Sequence, residues 1–578
     1  MFEKFIRRII FKTNKLNSFV NKYKTVAKEV GLPSLAYINW GIKLLDDGNS
    51  KEALKKFETS INMASKNPEG FINIGAIKAK NGEYEEAIEY FRKAIRTDNS
   101  SAKAYALLGS VYSELSDYKN AKKAFDTSIR LDSRNAQTYI SQAIFLAKFN
   151  YKQEANMAFQ KACIFNPSNI QGIYLWGVLL TQMGEFEAAI EKFQKVVSML
   201  PFHADALHYL AYCFFNLKNY RFAIEYARKA LVISPKKAET FIILAESYMN
   251  LREDKKCMET YERAFNILSD SLDSKFYCSW GIACQNFQMW EAAVQKFKDA
   301  IALEDKFEEG EGGSKNIFPY YGLSMSYLKM NMDDAAYEIM QKIIELNPEH
   351  TITLYNIGQY FFKREKYNEA VEYFNRALKS THDAKHIYFN IANCYHHLGD
   401  YKNALKYWEK TVEYNPDNID AKVNLANTYA ILGDKTSAIR KIRSAYLLDK
   451  KNPRIVLVYA ILLLKNDEFY DAMDKFELAY SLDNTMYLAA FGKIECLIKT
   501  GKAKEALQRL AEFEEKYGEN KEFLMLKVLS YLKLLDDDAE NEYLIKTTIE
   551  VCDKMFSIHG DNEPWVKERY DKLKQKLE

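Results

Sequence analysis

The sequence predicts an all-α chain, a right-handed α-solenoid of about fourteen helix-turn-helix units, and three observations carry that prediction. An alanine recurs at a fixed step: Ala53, Ala87, Ala121, Ala155, Ala189 and Ala223 are 34 residues apart, and after Cys257, Ala293 and Ala336 the step of 34 resumes at Ala370, Ala404, Ala438, Ala472 and Ala506. Twelve residues before each stands a small residue, from Gly41, Gly75 and Gly109 to Ala426 and Ala460, with Ile494 as the exception. Four residues after each stands a bulky one, aromatic in ten of fourteen cases, with Ala227 as the small exception. A period in this range is the mark of stacked supersecondary units, which must be sought before any other organisation.

Composition agrees. A chain of 578 residues exceeds what one core can fill, so it must be several domains or an array. With only 22 Gly and 10 Pro it is poor in the residues that turn-rich β folds use. Within each period two apolar-periodic stretches flank a polar turn such as Asn81-Gly82-Glu83 or Leu398-Gly399-Asp400. That reads as two antiparallel helices whose small residues allow close approach and whose aromatic fills the space beside them and packs on the next unit. Pro167, Pro201, Pro235, Pro348 and Pro416 share one phase at the unit boundary, where a helix must end. One pair cannot bury its apolar face alone, and stacking supplies the core.

The segments YALLGSVYSELSDYKNAKKAFDTSIRLD (105–132) and YFNIANCYHHLGDYKNALKYWEKTVEYNP (388–416) carry a Gly/Ala, Tyr, Ala and aromatic signature, the second with its terminal Pro. This pattern resembles the tetratricopeptide repeat family over about residues 34–518. The resemblance implies a superhelix whose first helices line a concave, protein-binding groove. It sets units one to eight at 34–306 and units nine to fourteen at 316–518. Between them, 307–315 (FEEGEGGSK) is an acidic, Gly-rich inserted loop; Ser314 before Lys315 breaks the spacing of a phosphate-binding loop. Residues 519–578 remain helical without the signature and suit a C-terminal cap.

Residues 1–33 form a basic amphipathic N-terminal helix. Eight Lys/Arg oppose two Glu over 1–32, a net of +6, with Phe2, Phe5, Ile6, Ile9 and Ile10 at helical spacing. Such a segment either caps the first repeat or lies on an anionic membrane surface. The expected location is cytoplasmic, with peripheral membrane contact through 1–32 as the second reading. No apolar run is long enough to span a bilayer. The balance of 81 basic and 78 acidic residues excludes a nucleic-acid footprint. Eight scattered Cys without a CxxC pair point to buried thiols in a reducing compartment, not to metal or redox chemistry. Protease, hydrolase, dinucleotide and calcium-loop motifs are absent, so neither an enzyme nor a cofactor is expected. Nothing in the sequence sets an oligomeric state.

On the first helices, Asn recurs two residues before the small position: Asn39 and Asn73, then Asn356, Asn390 and Asn424, with Asn393 and Asn427 three residues further along. Side-chain amides both donate and accept, so a row of them reads a peptide backbone without reading its side chains. The row is similar to the asparagine ladder in the repeat superhelix of O-linked N-acetylglucosamine transferases, which implies binding of extended peptide. Here Leu107, Ser141, Leu175, Tyr209, Ile243, Ser279 and Gly322 interrupt it, and no catalytic domain accompanies it. Tyr355, Phe389, Lys329 and Lys363 lie nearby and suggest an aromatic, mildly basic groove for extended or acidic segments of other proteins. A scaffold that binds peptide segments is thus the first functional reading, and a membrane-docked assembly factor the second.

Overall fold

In the computed structural model, residues 32–578 are described except 65, 308–315, 382–383, 519, 560–563 and 578. The basic segment 1–31 and all of the acidic loop but Phe307 lie outside the described residues; Phe307 is the last residue of the helix Trp290–Phe307. Among the described residues there are 31 α-helices and no strand. The chain divides into two compact units, Met1–Leu303 and Glu304–Glu578. In each, helices form antiparallel pairs, and the second helix of one pair packs on the first helix of the next. Fourteen such pairs run from Leu32–Asp46 with Ser50–Met63 to Tyr487–Lys499 with Ala503–Tyr517. Three further helices, Lys521–Asp537, Glu542–His559 and Pro564–Leu577, follow them and close an apolar cluster that includes Phe523, Val528, Cys552 and Val566.

The periodic alanines sit on the second helices, and none of the fourteen residues at this position is more than 1% exposed. The small residues of the first helices play a part that spacing alone did not reveal. A Cβ built on Gly41 would lie 2.5 Å from the ring of Phe57, and one on Gly358 2.5 Å from the ring of Phe374. In the six pairs with glycine at this position, the phenylalanine ring of the second helix therefore lies against the glycine of its own pair. The expectation had the two backbones meeting there and the ring beside them; the ring itself occupies the gap, because only a missing side chain leaves room for it. Phe476 also leans onto the next pair, where Gly492 receives its ring. That placement is compatible with the bulky Ile494 at the small position of the last pair.

Every pair turns in the same way. One residue adopts a left-handed backbone five positions before the periodic alanine, as at Gly82 (φ 82°) or Lys218 (φ 59°). The next N–H then reaches the carbonyl five residues back, Glu83 to Lys78 at 2.9 Å and Asn219 to Phe214 at 2.8 Å, which closes the first helix. First helices often begin with a capping Asn; Asn169 Oδ1 accepts from the Gly172 N–H at 2.8 Å.

Candidate functional site

The first helices of pairs nine to twelve carry most of the expected site. Asn356, Asn390, Asn424, Asn393 and Asn427 are all half-buried. Two of the amides face back along the array. Asn390 Nδ2 donates to the Tyr355 hydroxyl of the preceding pair at 2.9 Å and to the His386 carbonyl at 3.1 Å. Asn356 Nδ2 points to Met325 Sδ at 3.7 Å. The side chains of Asn393, Asn424 and Asn427 make no hydrogen bond among the described residues. Asn424 and Asn427 are three apart and so share one helix face, and Asn393 holds on the preceding first helix the register that Asn427 holds on its own.

The aromatic neighbours are partly engaged in packing. Phe389 stands edge-on to the buried Trp408 at 5.0 Å, and the Tyr355 ring leans on Phe374 at 5.6 Å. Lys329 and Lys363 are exposed, and Lys363 is held by Asp333 at 3.3 Å. Beside it, Tyr337 and Tyr360 stack at 4.3 Å, Arg364 lies over the Tyr360 ring at 4.1 Å, and Asp334 receives both Tyr360 and Arg364. The basic character of this surface is therefore partly answered from within. Asn39 and Asn73 belong to the other unit; Asn39 is exposed, and Asn73 has a buried Nδ2 without a partner.

Two features escaped the sequence reading. Asn216, Asn250 and Asn286 end three consecutive first helices, and each is exposed. Each turns its Nδ2 back to the carbonyl four residues earlier, at 2.8, 2.8 and 2.9 Å. One turn before Asn250 lies Glu246, half-buried and bonded to Ser279 of the next pair. Burial holds its carboxyl above the usual carboxylate range, against the Ser279 hydroxyl and the weaker pull of Lys275. The constant register of the three Asn was the available signal; a polar residue in a last helical turn reads as a simple terminus. The second feature is a cleft of about 630 Å³ in the other unit, where Leu464, Leu488, Phe491 and Met525 share the lining with charged residues such as Lys465 and Glu495. Its far wall comes from a helix without the repeat signature.

All eight cysteines are free and seven are buried; burial pushes the Cys257 thiol up to about 12. Among the described residues no cluster of three or more His, Cys, Asp or Glu is placed to hold a metal ion, and no helix is long and apolar enough to cross a membrane.

Comparison with known proteins matches the same helix pairs. Families described as tetratricopeptide repeat match residues 387–418 and, separately, 102–135, 319–350 and 352–381; a family described as TPR repeat matches 77–116. The family of anaphase-promoting complex (cyclosome) subunit 3 matches 182–264. A curated relative, the photosystem I assembly protein Ycf3 of Prochlorococcus marinus (strain MIT 9215), is 27% identical over 120 residues, 19% of this chain. The chain spans 65% of the length of that relative. Among solved structures, YrrB, described as a TPR protein with an unusual peptide-binding site, is 26% identical and has a TM-score of 0.28, covering 32% of this chain and 95% of its own. The APC/C hetero-tetramer Cut9-Hcn1 is 14% identical at a TM-score of 0.33, covering 82% of this chain and 99% of its own. The recurring alanines, the rings seated on small residues and the matched families agree: this chain is an array of tetratricopeptide repeats.

Proposed function

We propose that the chain is a non-enzymatic interaction scaffold that binds peptide segments of other proteins on its first-helix surface. One observation carries the reading. Asn393, Asn424 and Asn427 present unengaged amides on adjacent first helices, with Asn356 and Asn390 in line beside them. An extended segment offers alternating N–H and C=O groups, and an amide side chain can answer either. Asn is also a mediocre helix former, so its recurrence in the middle of these helices needs a role beyond propensity. Asn390 supplies part of one by tying its helix to Tyr355; the unengaged amides remain for a ligand. Single contacts of this kind are weak, and several pairs engaging one long segment raise the affinity.

The test is capture of partners from native lysate by wild type and by a folded Asn393→Ala/Asn424→Ala/Asn427→Ala variant. A partner held by wild type and lost by the variant supports the reading. Equal capture by both removes the amide row from the mechanism.

A further inference from the structure

The first helices of pairs six to eight form a surface of a different kind. Asn216, Asn250 and Asn286 lie in register at their ends, and each commits its Nδ2 to its own helix. Among the described residues each leaves Oδ1, an acceptor, and the second Nδ2 hydrogen without a partner. Glu246 lies on the same helix face as Asn250, four residues away, and adds two acceptor oxygens. Its bond to Ser279 ties the seventh pair to the eighth, so these helices are direct neighbours. What sets this row apart from the amides of pairs eleven and twelve is the carboxylate of Glu246 among them, which only accepts when ionised. A half-buried carboxylate in such a row is short of hydration and of a strong counter-charge. Lys275 acts on it more weakly than burial does, and Lys237 is engaged by Asp205 at 2.7 Å. What completes the surface is a cation with N–H groups on either side of it.

We propose that pairs six to eight form a second docking surface, which takes an extended peptide segment carrying a lysine or arginine. The cation sits against Glu246, and N–H groups of the flanking chain donate to Oδ1 of Asn216, Asn250 and Asn286. The spacing suits this. Packed helices lie about 8–10 Å apart and an extended chain rises about 3.3 Å per residue, so successive Asn meet roughly every third residue. Tyr212, exposed and packed edge-on to Phe186 at 6.4 Å, holds on its own helix the register that Glu246 holds on the next. The inference rests on the reading that first helices bind peptide, and it names the chemistry of a site in the other unit.

The test uses the full chain and a short fluorescein-labelled peptide of repeated Ala-Lys-Ala, with repeated Ala-Glu-Ala as its acidic counterpart, read by anisotropy at fixed ionic strength. Wild type should bind the basic peptide and not the acidic one. Glu246→Gln, which keeps the shape and the Ser279 bond, should weaken the basic peptide by about tenfold, the size of one charge-assisted hydrogen bond. Glu239→Gln, which removes the same charge from the first turn of that helix, should leave affinity unchanged. An equal loss in both variants would show general attraction to negative charge and overturn the site, as would unchanged binding by Glu246→Gln. Binding of the acidic peptide alone would defeat this inference and leave the scaffold reading standing. Binding of neither peptide, with no partner captured through pairs eleven and twelve, would defeat both.

Discussion

Replacing Gly358 by alanine tests the ring-on-glycine packing most directly. A Cβ there would lie 2.5, 2.6 and 2.9 Å from three carbons of the Phe374 ring, and that ring is fully buried. Something must move, and overpacking of this kind costs about 1–3 kcal/mol. Against it stands the gain of placing alanine for glycine inside a helix, about 1 kcal/mol. The net expectation is a loss of roughly 0–2 kcal/mol. Gly109 is the internal control. Its added Cβ would meet Phe125 at 3.2 Å, a distance that small shifts can relieve, so the helical gain should dominate there. Whole-array melting is a poor readout because repeat arrays depart from two-state behaviour. Hydrogen exchange of peptides covering 351–379 and 102–131 reads each pair by itself. Gly358→Ala should exchange faster and Gly109→Ala the same or slower. Adding Phe374→Leu to Gly358→Ala should recover part of the loss, since a branched aliphatic can step aside where a ring cannot. Equal protection in the two glycine variants, or greater protection in Gly358→Ala, would refute the packing argument.

Two further predictions concern buried polar groups in the first unit. Tyr261 is fully buried with its hydroxyl unpartnered, so Tyr261→Phe should leave stability unchanged or raise it by up to about 1 kcal/mol in chemical denaturation. His208 is buried against Thr240 at 2.8 Å, and burial, aided by Lys237, lowers its pKa from 6.5 to about 4. Between those values the unfolded chain binds more protons than the folded one, so stability falls as pH drops from 6.5 toward 4, by about 3 kcal/mol at most. Exchange across pairs six and seven should show that loss in wild type, and His208→Gln should be flatter over the same range.

The repeat was legible because two demands recur in most periods: alanine where helices meet without room, and a ring four residues on. Sequence spacing could not say where the ring leans, since Phe57 and Phe476 share a register, yet Phe57 rests on Gly41 of its own pair and Phe476 on Gly492 of the following one. The left-handed turns were legible at Gly82 and Gly399 and hidden at Lys218 and Glu365, which are not turn formers. At the site, the rows containing Asn390 and Asn424 stood out in the middle of helices where Asn is unfavourable. The bond from Asn390 to Tyr355 depends on how one helix lies against its neighbour, which no spacing encodes. Asn216, Asn250 and Asn286 were passed over because their setting, a last helical turn, gives polar residues an ordinary reason to be there.

The shared turn has a consequence for where the array gives way. Six of its fourteen left-handed positions are glycine and eight are not, and five of those eight are consecutive: Lys218, Arg252, Gln288, Asn331 and Glu365. Away from glycine this backbone costs about 1–2 kcal/mol, somewhat less at Asn. In a linear array each such burden is shared only with adjacent pairs. Loosening is thus expected at the turns of Lys218, Arg252 and Gln288 in one unit and of Asn331 and Glu365 in the other, beyond the glycine-closed turns at Gly184 and Gly399. A segment laid across pairs six to eight would act as a splint there, and its grip would be felt as stiffness before any change of shape.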